Sequence, residues 1–275
     1  MKRIACVGDW GYEELPTFLH DALKNVDCLF LLGDNFYPSG VTSVDDDQWE
    51  KKLKQFFPIE KRKYVVLGNH DYLGDVYAQI LYSFSKTYFS WYFPHFYYDE
   101  IDQENDAHYF FIDTALLSPQ YTLRLLHACN IDPHHLQIYY FLLDHFATRQ
   151  REWIEQKVKQ SNSKWKMIMG HYPVVSGGKH QISEEVYGFI KYLCETNSID
   201  YYISGHEHNI QHLQKFNTHF LITGGLAHTY PVKEIAETHF CTSDAGFVEL
   251  EVHKEKVLTY VVQEHGKFLL HVNHK

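Results

Sequence analysis

Four apolar runs end in short glycine-bearing segments rich in metal-ligating side chains: Gly8-Asp9-Trp10-Gly11, Gly33-Asp34-Asn35-Phe36-Tyr37, Gly68-Asn69-His70-Asp71 and Gly170-His171-Tyr172-Pro173. A fifth, Gly205-His206-Glu207-His208, follows the run Tyr201–Ser204. Ligands bind at the carboxyl ends of strands in an α/β sheet, so five such segments can converge on one site. Asp9, Asp34, Tyr37, Asn69, His171, His206 and His208 would then offer hard or borderline oxygen and nitrogen donors. Such a set suits a dinuclear metal centre and not a thiolate zinc finger. Asp34, with two oxygens, is the natural bridge, while Asp9 and Tyr37 add anionic oxygen on one side and Asn69 neutral oxygen on the other. Hard anionic ligands favour a trivalent ion at the first position.

The pattern around these segments predicts strands before them and helices between them. Ile4–Val7 and Cys28–Leu32 read as strands, joined by a helix from the spacing of Leu15, Phe18, Leu19, Ala22 and Leu23. Trp49, Leu53, Phe56 and Phe57 mark a helix, Tyr64–Leu67 a third strand and Tyr77–Phe84 another helix. After an aromatic stretch over about 86–112, with Ala107–Ile112 its clearest strand, Trp153, Ile154 and Val158 lead to the strand Trp165–Met169. Val186, Phe189, Ile190 and Leu193 form a helical face before Tyr201–Ser204. Such alternation favours a parallel or mixed sheet covered by helices. Phe247–Val252, Val257–Val262 and Phe268–Val272, separated by short turns, read as antiparallel hairpins and predict a second sheet. No repeat or linker divides the chain, so residues 1–275 read as one domain, with a packed helical insertion or lid at about 117–148.

Lys and Arg number 25 against 35 Asp and Glu, a formal charge of −10 with histidine neutral, which argues against binding nucleic acid by phosphate neutralisation. Twenty histidines would reverse that sign in mild acid. No apolar run reaches the roughly 18 residues of a membrane span. Five widely spaced cysteines without a CxxC pair predict reduced thiols. With only four apolar residues after the basic start there is no signal-peptide core, which predicts a cytoplasmic location, or a secreted or periplasmic one if a leader has been removed.

Taken in order, Val-Gly-Asp-Trp-Gly (7–11), Leu-Gly-Asp-Asn-Phe-Tyr (32–37), Gly-Asn-His-Asp-Tyr-Leu-Gly (68–74), Ile-Asp-Thr (112–114), Gly-His-Tyr-Pro-Val (170–174) and Gly-His-Glu-His-Asn (205–209) resemble the motifs of the calcineurin-like metallophosphoesterases. The resemblance is nearest to the purple acid phosphatases of the small, tartrate-resistant type. It implies a four-layer α/β/β/α sandwich of two mixed sheets flanked by helices, an architecture the chain pattern only permits. It further implies Fe(III) on Asp9, Asp34, Tyr37 and His208, and a divalent Fe, Zn or Mn on Asp34, Asn69, His171 and His206. His70 and His180 match residues that contact substrate phosphate in the family. The implied reaction is hydrolysis of phosphate monoesters by in-line attack of a metal-bound hydroxide, with an acid optimum and His70 or His180 supplying the leaving group's proton.

Other readings compete. Some members with this fold are non-catalytic scaffolds or anchors, and related enzymes are phosphodiesterases or nucleotide pyrophosphatases. The retained ligands argue against the first, and Tyr37 against the second. His180 alone could equally be a solvated loop residue. Asp71 and Glu207 read as surface or capping groups, Trp10, Phe36 and the Tyr88–Tyr98 aromatics as core or pocket wall, and His127, His134, His135, His145 and His228 as isolated loop histidines. Secreted mammalian members carry a disulfide where this chain has Ser118 and Ser183–Glu185. The insertion stands where the family has its mobile loop, and nothing in its sequence supports a particular protein partner.

Overall fold

The apolar runs that end in glycine become strands buried on both faces, as central strands of a covered sheet must be. The computed structural model describes residues 1–58, 60–85 and 90–275. Its strands are β1 (Lys2–Val7), β2 (Cys28–Leu32), β3 (Arg62–Val66), β4 (Trp91–Tyr92), β5 (Tyr98–Asp102), β6 (Ala107–Phe111), β7 (Trp165–Met169), β8 (Tyr201–Ser204), β9 (Ile210–Lys215), β10 (Thr218–Thr223), β11 (Thr238–Thr242), β12 (Gly246–Val252), β13 (Lys256–Gln263) and β14 (Gly266–His274). They form two seven-stranded mixed sheets, ordered β14-β13-β12-β1-β2-β3-β4 and β11-β9-β10-β8-β7-β6-β5. The inner strands β1–β3 and β6–β8 run parallel within their sheets. The sheets meet face to face through aromatic side chains, Phe30 of β2 lying 5.2 and 5.1 Å from the rings of Tyr109 and Phe111 of β6.

The three C-terminal strands are antiparallel as expected, but they do not build the second sheet. Strand β12 pairs along β1, Cys6 opposite Val248, so the hairpins widen the first sheet. The second sheet is instead made by β5 to β11. Local pattern specifies a hairpin but leaves open which exposed edge it joins.

Helices are α1 (Leu19–Ala22), α2 (Val76–Tyr82), α3 (Thr114–Leu117), α4 (Pro119–Ala128), α5 (Pro133–Gln160) and α6 (Glu184–Asn197). A π-helical segment, Trp49–Lys54, covers the first sheet's ligand loops. Helix starts follow their caps: Asp132 accepts from the His134 N–H with Pro133 in the first turn, and Ser183 accepts from the Val186 N–H. The 117–148 segment is helical, and its second helix continues without a break through the expected Trp153 helix to Gln160. The Ser118 and Ser183 hydroxyls are hydrogen-bonded to one another, and Ser118 donates to Glu185 Oε2 at 2.7 Å. Of the aromatic stretch, residues 86–89 lie outside the described residues; Trp91, Phe93, Phe96 and Tyr98 are core. Among the described residues no helix is long and apolar enough to cross a membrane.

Candidate metal centre

The five glycine-bearing segments meet where the two sheets bring their strand ends together. Asp9 follows β1, Asp34 follows β2 and His206 follows β8, with φ of 54°, 52° and 68°. Left-handed backbone is uncommon for residues other than glycine, and at functional sites it is held by its surroundings. Here the hold is visible. The Asp9 N–H donates to the Gly33 carbonyl at 3.0 Å, the His206 N–H to Asp9 Oδ2 at 2.7 Å, and the His70 N–H to Asp34 Oδ1 at 2.8 Å. Gly68 leaves the space that Asp34 uses, since a Cβ there would run into the Asp34 carboxylate.

The Tyr37 hydroxyl lies at the middle of one donor group. It is 3.0 Å from Asp9 Oδ1, 2.8 Å from Asp34 Oδ2 and 3.1 Å from His208 Nε2, which itself lies 3.4 Å from Asp9 Oδ1. The other oxygen of Asp34 faces a second group, with His171 Nε2 3.5 Å away and Asn69 Oδ1 a further 3.3 Å from that nitrogen. His171 Nδ1–H donates to the Leu32 carbonyl at 2.8 Å, which leaves Nε2 as the lone-pair atom. Ligand atoms of Asp9, Asp34 and His171 all lie within 4.8 Å of one another. Asp34 thus has one oxygen in each group.

His206 stands beside this set, its ring 5.1 Å from that of His171, with Nε2 2.9 Å from the Tyr121 hydroxyl. The ring of His180 is 4.5 Å from His206, and that of His70 is 4.4 Å from Tyr37. His228 is not isolated, its ring lying 5.9 Å from His208. Above the donors opens a cleft of about 550 Å³, walled by Tyr12, Tyr230 and, from the 117–148 segment, Leu125, Ala128 and Cys129.

Electrostatics favour cations. Burial alone would raise the Asp34 carboxyl, but the imidazoles of His171 and His70, the His70 N–H and the Tyr37 hydroxyl outweigh it and hold it below the usual range. Burial and the neighbouring carboxylates of Asp34 and Asp9 push the Tyr37 phenol well up. Burial, reinforced by the imidazoles of His171, His180 and His208, keeps His206 well below the ordinary histidine value and so neutral. Closely packed oxygen donors with lone-pair imidazoles fit a pair of hard or borderline metal ions.

Two groups expected at the surface or in caps are buried. Asp71 accepts from the N–H groups of Gly68 (2.8 Å) and Asn35 (3.1 Å) and from the Gln79 amide (2.9 Å), and burial beside the Asp34 charge pushes its carboxyl up to about 6. Glu207 accepts from the N–H groups of Lys179 (3.1 Å) and His180 (2.8 Å), with His180 Nδ1 3.3 Å away, and so carries the His180 loop. Glu207 follows the candidate ligand His206 and Asp71 follows His70, but the left-handed turn at His206 sends Glu207 inward and the short helix after His70 does the same for Asp71. Trp10 is core as expected, its indole N–H donating to Asn35 Oδ1. Neither Tyr121 nor Lys52 is legible from the sequence: Tyr121 reaches the site only because α4 folds over it, and Lys52 lies in a run of charges that reads as solvated surface.

The family model for calcineurin-like phosphoesterases matches residues 2–209. Tartrate-resistant acid phosphatase type 5 of Homo sapiens is 27% identical over 300 residues, 97% of this chain and 89% of the relative. Purple acid phosphatase 7 of Arabidopsis thaliana is 28% identical over 235 residues, 80% of this chain and 68% of the relative. Among solved structures, GAP50, the anchor in the inner membrane complex of Plasmodium, superposes with a TM-score of 0.77 at 20% identity, covering 100% of this chain and 90% of that one. The family match runs across every strand end that carries a candidate ligand, and on that ground this chain belongs to the calcineurin-like phosphoesterase family.

Proposed function

We propose that the protein is a purple acid phosphatase-like phosphomonoesterase with Fe(III) and a divalent metal in the cleft. The observation that carries this is the division of donors about Asp34: Oδ2 toward Tyr37, in one group with Asp9 and His208, and Oδ1 toward His171 and Asn69. Asp9, Asp34, Tyr37 and His208 would hold the first ion, and Asp34, Asn69, His171 and His206 the second. Bound there, the two ions would neutralise phosphoryl charge and acidify water enough to make it a nucleophile.

The chain's own groups do the rest. His70 Nδ1–H donates to the Pro38 carbonyl at 2.6 Å, so Nε2 is the atom that holds and delivers a proton to the departing oxygen. His180, with Glu207 beside Nδ1, offers a second contact for phosphate. Leu125, Ala128 and Cys129 make one wall of the cleft apolar and suit an apolar leaving group. The 117–148 segment then acts as a wall of a single domain, and the excess of negative charge favours a small ester over nucleic acid as substrate.

The test is hydrolysis of p-nitrophenyl phosphate by metal-replete protein from pH 4 to 8, beside bis-p-nitrophenyl phosphate. Monoester turnover with an acid optimum supports the reading. Faster diester turnover replaces it with a phosphodiesterase, and no turnover of either ester by protein with both metals bound leaves a scaffold.

A further inference from the structure

Four imidazoles outside the cleft gather between the two sheets. His212 of β9 and His219 of β10 lie diagonally across an antiparallel pair, His212 opposite Leu221, with His212 Nε2 3.0 Å from His219 Nδ1. Both are buried, at 1% and 4% exposure. Whichever ring supplies the proton of that contact, the other of the two facing nitrogens offers a buried lone pair. From the first sheet His271 of β14 brings its ring to 4.4 Å from His219 and 5.4 Å from His212, and His239 of β11 stacks 5.2 Å from His212. His239 sits at the register shift between Thr238 and Phe240, and His271 beside the shift opposite Thr259 and Tyr260. Bulges of this kind re-aim side chains.

We propose that His212, His219 and His271, with His239 at the solvent side, form a binding site for a divalent transition ion of the zinc type that fastens the two sheets together. Neutral imidazoles without a carboxylate select zinc, copper or nickel over magnesium or calcium. The 3.0 Å between the first two nitrogens is close to the edge of about 3.3 Å spanned by a tetrahedron of roughly 2.0 Å zinc–nitrogen bonds. Among the described residues, three donors within 4.8 Å occur only at Asp9, Asp34 and His171, so His271, which is partly exposed, completes this second set by rotating its ring inward. Burial and the neighbouring imidazoles keep His212 neutral down to about 3 and His219 to about 4, so protons do not compete for their lone pairs near neutral pH. The site is independent of whether the cleft hydrolyses phosphate esters.

The experiment compares wild type with the His239→Gln/His271→Gln double variant, chosen because these two rings are the accessible members of the set. Each protein is loaded with zinc, desalted and assayed for zinc per chain and for the zinc-dependent rise in melting temperature. Cleft metals contribute equally to both, so the difference isolates the histidine site. Wild type is expected to retain one zinc more per chain and to show the larger rise. Equal zinc content with an equal rise overturns the proposal. Should the double variant fail to fold, His239→Gln alone takes its place, expected to weaken the additional zinc about tenfold; unchanged affinity together with no all-nitrogen zinc in the wild-type X-ray absorption spectrum overturns the proposal.

Discussion

Lys52→Met tests how the first donor group is held. Lys52 is only 2% exposed, and its ammonium donates to the carbonyls of Gly11 (2.9 Å) and Tyr37 (2.7 Å) and to Gln48 Oε1 (2.9 Å). It therefore ties the loop after Asp9 to the loop that presents Tyr37. Glu13 is 3.3 Å away, but its side chain is 82% exposed and water screens the pair, so it adds little. Methionine keeps the length of the stem and removes every donor. Hydrogen bonds to a charged group contribute about 1.5–3 kcal/mol each. Three together give roughly 4.5–9 kcal/mol, from which the several kcal/mol of desolvating a buried ammonium must be subtracted. The Gly11 carbonyl also keeps the Tyr37 N–H at 2.9 Å. A net loss of about 2–4 kcal/mol follows, read by urea unfolding of metal-free protein. Iron affinity, the readout of the proposed first ion, should fall with it, because the loosened loops carry Asp9 and Tyr37. Stability within about 0.5 kcal/mol of wild type, the range of an ordinary surface change, with unaltered iron affinity would refute the tether.

Three further outcomes are expected. Tyr37→Phe removes the phenol from between Asp9 and Asp34, so under the proposed Fe(III) site the iron-loaded variant should lack the visible absorption band expected of iron-loaded wild type; the same band in both would exclude Tyr37 as the iron ligand. His219 has a folded value near 4, pushed down by burial and by the imidazoles of His271 and His239, against about 6.5 unfolded. The unfolded chain therefore takes the proton first, and stability falls as pH drops from about 6.5 toward 4 by about 1.4 kcal/mol per unit. In chelator-treated protein, His219→Phe should lose about 2 kcal/mol less than wild type between pH 6.5 and 4.5, whatever its constant offset, and parallel profiles would refute it. Finally, Ser118→Cys/Ser183→Cys places thiols where two hydroxyls already touch, and mild oxidation should close a disulfide, read as loss of two free thiols by mass after alkylation.

The parts of the fold written locally were legible. Cys28–Leu32, Trp165–Met169 and Tyr201–Ser204 fall at the expected residues, because a buried parallel strand is a continuous apolar run closed by glycine. The candidate donors were legible for the same reason, each lying within a few residues of its strand end. What depends on distant chain was not. Pairing of β12 with β1, Tyr121 over His206 and Lys52 between two carbonyls join positions far apart in sequence, and no periodicity encodes them. The histidines of the inter-sheet cluster were hidden too, since His212, His219, His239 and His271 come from four strands in two sheets.

The left-handed backbone at Asp9, Asp34 and His206 sets thermal endurance against the proposed metal site. Each conformation costs on the order of 1 kcal/mol or more for a residue with a Cβ. Glycine or asparagine would occupy the same turns with less strain, but glycine removes the donor altogether and asparagine replaces an anionic oxygen or an imidazole with a weaker neutral oxygen. Heat-resistance screening of random variants should therefore enrich changes at these positions that stiffen the protein and weaken its metal binding.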